Sequence, residues 1–201
     1  KLRIKIHKLG LLSDKFVPLF ATAMENEVLI AACLKYCIEL TRDFDSKVKV
    51  ALKEKIRMTK IKKETKEEMK ERIDAQLVAR DNANEQVSAA LYVKKCLCDR
   101  EIVMIMINYC AKYVKKSKRV DGAETFDAIL SVLDVISNLL RITSSQHSPK
   151  KEAEKAHTVH NEFIINLQGQ FFTMLLDLCM NMRDFPIPIR ARVIEIMIHL
   201  L

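Results

Sequence analysis

An all-α fold, arranged as a right-handed α-solenoid, is predicted by three observations. The 201 residues include only three Gly and four Pro, too few to turn the chain every ~8–12 residues as a sheet protein requires. Apolar side chains recur at helical spacing in long blocks. Several of those blocks are apolar on two faces, so their helices must be covered on two sides. A four-helix bundle would give one stripe per helix. Helices covered on both sides and joined by short links are what stacked repeats produce, as in armadillo and HEAT proteins. Strict self-similarity near ~40 residues is absent, so the repeat reading rests on the burial pattern alone.

The elements follow in order. Ser13 is placed to cap a helix starting at Asp14, with Phe16, Leu19, Phe20 and Ala23 on one face. A second helix starts near Asn26. It carries one stripe of Ile30, Leu34 and Ile38 and another of Leu29, Cys33, Tyr36 and Leu40. A later helix again has two faces: Ile102, Met106, Tyr109 and Tyr113 on one, Val103, Ile107, Cys110 and Val114 on the other. The next pairs Phe126, Ile129, Leu130, Leu133, Ile136 and Leu140 with Val132, Val135, Leu139 and Ile142. Phe171, Phe172, Leu175, Leu176 and Cys179 predict the core face of a further helix, and Val193, Ile194, Met197, Ile198 and Leu201 that of the last. Pro186 stops one helix and leaves Pro188 in the first turn of the next, where a missing N–H costs nothing.

Two stretches differ. Residues 47–66 read as an exposed basic loop, followed by a solvated helix whose narrow stripe is Met69, Ile73 and Leu77. Residues 143–154 read as a polar link with one Pro. Apolar helices continue on both sides of it in the same style, so residues 1–201 read as a single helical-repeat domain, and as a piece of a longer protein.

About half the residues are apolar and the net charge is +8, a globular balance that excludes a disordered chain. No apolar run approaches the roughly 20 residues that span a bilayer. Six cysteines lie mostly within apolar helical blocks, where free Cys acts as a small hydrophobe. A disulfide framework needs a short secreted chain, so a reducing compartment is expected.

No catalytic motif is present: no phosphate loop, no nucleophile elbow, no His-Glu-x-x-His. No cofactor and no metal are implied. His157 and His160 could share a helix face, but no further ligand obviously completes a metal site, and Cys96 and Cys98 point apart on a helix. Asp134, Asp177 and Glu195 stand among apolar residues and read as ion-pair partners or solvent-edge groups, Glu195 with Arg192 or His199. The feature with functional weight is the run from Lys47 to Arg72, eleven cations against five anions. Its candidate contacts for DNA or an acidic partner are Lys47, Lys49, Lys53, Lys55, Arg57, Lys60, Lys62 and Lys63. No aromatic residue interleaves the run, so base stacking is not supported. A smaller cluster, Lys112, Lys115, Lys116, Lys118 and Arg119, closes a helix where the dipole alone favours cations. On repeat architecture alone, an adaptor in nuclear transport, RNA processing or trafficking fits equally well.

Taken in order, the apolar blocks resemble the N-terminal part of the Timeless family. The family's Ser-Asp element with Pro-Leu appears as Ser13-Asp14-Lys15-Phe16-Val17-Pro18-Leu19. Its helix ending Asn-Leu-Thr appears as Cys37-Ile38-Glu39-Leu40-Thr41, with Arg42 where Pro usually follows. Its Leu-rich helix ending Arg-Asn-Ile-Leu appears as Ile129 to Ile142, with Ser137 in place of the Arg. After the polar insert come His160-Asn161-Glu162-Phe163-Ile164-Ile165-Asn166-Leu167 and the block from Phe171 to Leu178, without the family's Trp. The resemblance covers nearly the whole chain and marks a divergent member. It implies an armadillo/HEAT-like solenoid in the nucleus and no enzymatic activity. In one branch it implies work with the Timeless-interacting protein Tipin, the replisome and cohesin components, in replication-fork protection, checkpoint signalling and chromosome cohesion. In the other it implies pairing with Period in the circadian clock.

Overall fold

The computed structural model describes residues 2–23, 26–42, 50–51, 56, 58, 61, 64–117, 122–141, 150–167 and 169–200. Among these there are helices and no strand. Helix α1 (Leu2–Lys8) is followed by a π-helical turn (Leu12–Phe16) that runs into α2 (Val17–Thr22). Then come α3 (Glu27–Thr41), α4 (Lys66–Leu97), α5 (Arg100–Ser117), α6 (Ala123–Arg141), α7 (Lys150–Leu167), α8 (Gln170–Met180) and, after a 3-10 turn at Met182–Asp184, α9 (Ile187–Leu200).

Local chemistry explains several boundaries. Asn26 accepts the Leu29 N–H at 3.1 Å and caps α3. Thr65 accepts from the Glu68 N–H at 3.1 Å, and Glu68 accepts from the Thr65 N–H at 2.7 Å, a reciprocal capping box. Gly10 turns the chain with φ +61 between α1 and the π-helical turn, a conformation that an L side chain would strain. Pro188 sits in the first turn of α9, as its position predicts.

Helices three apart in sequence are neighbours in space. Helix α4 packs on α1 and α7, α5 on α2 and α8, and α6 on α3 and α9. Helix α6 is the centre of the core. Ile129, Val132, Leu133, Val135, Ile136 and Leu139 are all fully buried, because α3, α5 and α9 enclose it. Helix α5 buries both predicted stripes, from Ile102 to Val114. Each such aliphatic side chain contributes roughly 1.5–3 kcal/mol on burial, so these two helices hold the layers together.

The structure corrects the sequence reading in five places. Ser13 is not a helix cap. It lies inside the π-helical turn, where its hydroxyl donates to Gly10 O at 3.1 Å and to Asp14 Oδ1 at 2.8 Å. Helix α1 was not foreseen, because only Ile6 in it is buried. Helix α4 runs for 32 residues, far beyond its narrow apolar stripe, because the capping box starts it and small residues (Ala83, Ala89, Ala90) let its second half pack closely. Residues 150–154 of the predicted polar link are the first turns of α7, and residues 142–149 lie outside the described ones. The fifth concerns the last two helices. Leu176 is 62% exposed, and the buried face of α9 is Ile189, Val193 and Ile196 rather than Ile194, Met197 and Ile198. On that second side Ile194 and Ile198 are exposed, while Met197 meets Cys179 of α8.

Candidate functional site

Lys47, Lys49, Lys53, Lys55, Arg57, Lys60, Lys62 and Lys63 lie outside the described residues. So do Lys118 and Arg119 of the smaller basic cluster. Of its described members, Lys112 and Lys116 are engaged locally. Lys112, in the last turns of α5, pairs with Glu27 in the first turn of α3. The Tyr113 hydroxyl donates to the same carboxylate at 2.5 Å. Both hydrogen bonds hold Glu27 below its ordinary carboxylate range, Lys112 contributing most. The reverse effect of Glu27 pushes the Tyr113 hydroxyl well above its usual value. Lys116 stands 5.5 Å from the Tyr113 ring centroid, a cation–π contact. Beside them a groove of about 150 Å³ is lined by Glu27, Ile30, Ile105, Asn108, Tyr109 and Lys112.

Two of the carboxylates set among apolar residues, Asp134 and Glu195, are joined to cations. Arg192 donates to Asp134 at 2.6 Å and also reaches Glu195. Arg141 pairs with Glu195 from the end of α6. Asn138 of α6 donates to the Thr41 hydroxyl of α3 at 3.3 Å, and that hydroxyl donates to Cys37 O at 2.8 Å. A polar ladder therefore ties α3 to α6 and α6 to α9. Asp177 accepts from the Asn181 side chain at 2.9 Å. These contacts give the acidic groups structural work.

Lys94 is the group that sequence reasoning missed. It is fully buried in α4, with Nζ 3.2 Å from His160 Nδ1 of α7 and 5.8 Å from the Phe163 ring centroid. Burial lowers its pKa to about 8. Burial, then the neighbouring Lys94 charge, lowers His160 to about 4, so the imidazole is neutral at physiological pH. The signal was available: Ala83, Val87, Ala90, Lys94 and Leu97 follow one helical stripe, and a cation stands in an apolar position. His157 hydrogen-bonds Asn161 at 3.0 Å instead of joining His160. Among the described residues no group of three or more His, Cys, Asp and Glu is placed to hold a metal ion. All six cysteines are free. Burial raises Cys37 and Cys98 well above the ordinary thiol range and Cys110 to about 12, so these thiols stay protonated.

Helices packed around α6 and tied to it by polar contacts define an all-α protein among the described residues. Among the described residues no single helix is long and apolar enough to cross a membrane. The sequence model of the Timeless protein family matches residues 1–201, and the chain belongs to the Timeless family. No curated protein and no solved structure matches it.

Proposed function

We propose that this chain is a non-catalytic nuclear scaffold, the N-terminal region of a Timeless-type protein that holds partners of the replication-fork protection complex. Family membership over the full 201 residues is the observation that carries the reading. The packing of every third helix supports a finer architecture. α1–α3, α4–α6 and α7–α9 form three armadillo-like repeats in a right-handed superhelix. A rigid stack of this kind displays extended surfaces without a reactive cleft, which suits docking of proteins. The partners are Tipin, replisome proteins and cohesin components, and the role is support of checkpoint signalling and sister-chromatid cohesion. The stretch from Lys47 to Lys63 contacts DNA or an acidic partner through charge alone.

Two measurements test this. Affinity capture from nuclear extract is expected to recover Tipin and replisome proteins. Recovery of Period, or of transport or RNA-processing factors, would replace the assignment. Binding to duplex DNA is expected to weaken steeply as salt rises, and an eightfold Lys/Arg→Gln variant of the basic stretch should flatten that dependence. A response to salt that is flat in the unaltered chain removes DNA from the account.

A further inference from the structure

Between the first turn of α3 and the middle of α5 the surface keeps a small opening beside a cationic helix end. The groove of about 150 Å³ has an apolar floor, made by buried Ile30 of α3 and buried Ile105 and Tyr109 of α5. Pockets that take a whole small ligand run to ~300–1,000 Å³, so this one has room for a single aliphatic side chain. Gln170 of α8 donates to Asn108 on the groove's lining at 3.0 Å and steadies that wall.

The charges around the groove are unequal. Ile105, Asn108, Tyr109, Lys112, Lys115 and Lys116 follow at three- and four-residue steps, so they share one face of α5. Lys115 and Lys116 are exposed and, among the described residues, have no carboxylate within ion-pair distance. The carboxylate on the groove's lining, Glu27, is already held by Lys112 and by the Tyr113 hydroxyl. An incoming cation would have to displace Lys112 and would meet Lys115 and Lys116 as well. A nucleic-acid backbone would bring phosphates against Glu27 and leave the apolar floor unfilled. What complements this face is an aliphatic side chain with carboxylates beside it. Its direction is set too: exposed Glu101, one turn before Ile105, stands at the other end of the same face.

We propose that the α3–α5 groove docks an acidic peptide segment of a partner protein, with one aliphatic side chain seated on Ile30 and Ile105 and carboxylates paired with Lys115 and Lys116. Ile105 and Lys116 are eleven residues apart, about 16 Å along a helix. An extended chain covers that span in about five residues, so the carboxylates fall within that distance after the aliphatic anchor. Neither the basic stretch 47–63 nor the partners named in the preceding section are needed for the site.

Fluorescence anisotropy of the 201-residue chain, with a labelled peptide carrying one Leu followed by four Glu, tests it. Binding is expected. It should weaken about fivefold or more when the peptide's Leu becomes Ala, and about tenfold or more when its Glu become Gln. Lys115→Glu combined with Lys116→Glu should also weaken it about tenfold or more, with helical circular dichroism unchanged. Lys66→Glu combined with Lys70→Glu, the same change of charge on the exposed start of α4, should alter it less than about twofold. Asn108→Phe, which fills the groove from its rim, should abolish the preference for Leu over Ala. A peptide that does not bind overturns the proposal. So does binding indifferent to the peptide's Leu or to Lys115 and Lys116, which is what capture by the basic stretch 47–63 would give. A short DNA duplex that binds more tightly than the peptide, and is lost with Lys115 and Lys116, would assign the face to nucleic acid and overturn it as well.

Discussion

Lys94 shows how much a single side chain decides. Its amine is removed from water and faces a neutral imidazole and a ring, with no carboxylate within bonding reach in the contacts described. The fall from 10.5 to about 8 corresponds to roughly 3 kcal/mol of burial cost for the charged form. Lys94→Met keeps the stem's packing and removes the charge. It is expected to raise stability at neutral pH by about 1–3 kcal/mol, measured by urea unfolding. The pH profile carries a sign. Between pH 8 and 10.5 the unfolded chain binds more protons at Lys94 than the folded one, so stability rises with pH there. The same holds for His160 between about 4 and 6.5, where stability is lost as the pH falls. Lys94→Met should flatten the alkaline rise, and His160→Gln the loss between pH 6.5 and 4. Ser137 is a second informative residue. It is fully buried in α6 and its hydroxyl has no hydrogen-bond partner among the described residues. Ser137→Ala is expected to be neutral or to stabilise by up to about 1 kcal/mol, because it removes a desolvated polar group without opening a sizeable cavity. A loss above that value in the same unfolding assay would mean the hydroxyl has a partner.

At the scale of helices, the contact between α6 and α9 combines an apolar seam with the chain of charges Asp134, Arg192, Glu195 and Arg141. Arg192 joins two carboxylates, so its loss leaves both less well compensated. Asp134→Asn and Arg192→Met are expected to couple by about 1 kcal/mol in a double-mutant cycle, since both side chains remain partly hydrated. Independent effects would show that the pair holds geometry without energy. What the sequence revealed about these elements follows from how each is stabilised. Helices α5 and α6 were readable on both faces, because burial on two sides writes two apolar stripes. The pairing of Glu195 with Arg192 was readable from i, i+3 spacing, but its link to Arg141, 54 residues away, was not. The length of α4 was hidden because its first half shows only the narrow stripe of Met69, Ile73 and Leu77, with Leu77 and Val78 exposed, too little to mark where the helix ends. The proposed three-helix grouping leaves no fixed period in the sequence, because α4 has 32 residues while α1, α2 and α3 have 7, 6 and 15. The basic stretch was readable as charge, and charge alone does not fix a contact surface.

For the whole molecule, the arrangement of layers dictates where stability resides. Helices α4–α6 touch both α1–α3 and α7–α9, the contacts that the proposed stack of three units requires. In such a stack local opening costs least at the ends and most in the middle. Amides of Ile129–Leu140 in α6 are therefore expected to exchange with solvent most slowly, and those of α1, which buries only Ile6, among the fastest. Two core truncations separate a layered stack from a single cooperative core. Leu133→Ala, at the centre of α6, should cost about 2–5 kcal/mol and accelerate exchange everywhere, because both flanking units lose their support. Phe20→Ala, in α2, removes a larger fully buried side chain, yet its effect should concentrate in α1–α3 and spare α8 and α9. If Phe20→Ala accelerated exchange as strongly in α9 as in α3, the units would be thermodynamically one. The stack would then be a globular core with helices wrapped around it, and an extended docking surface would lose its physical basis.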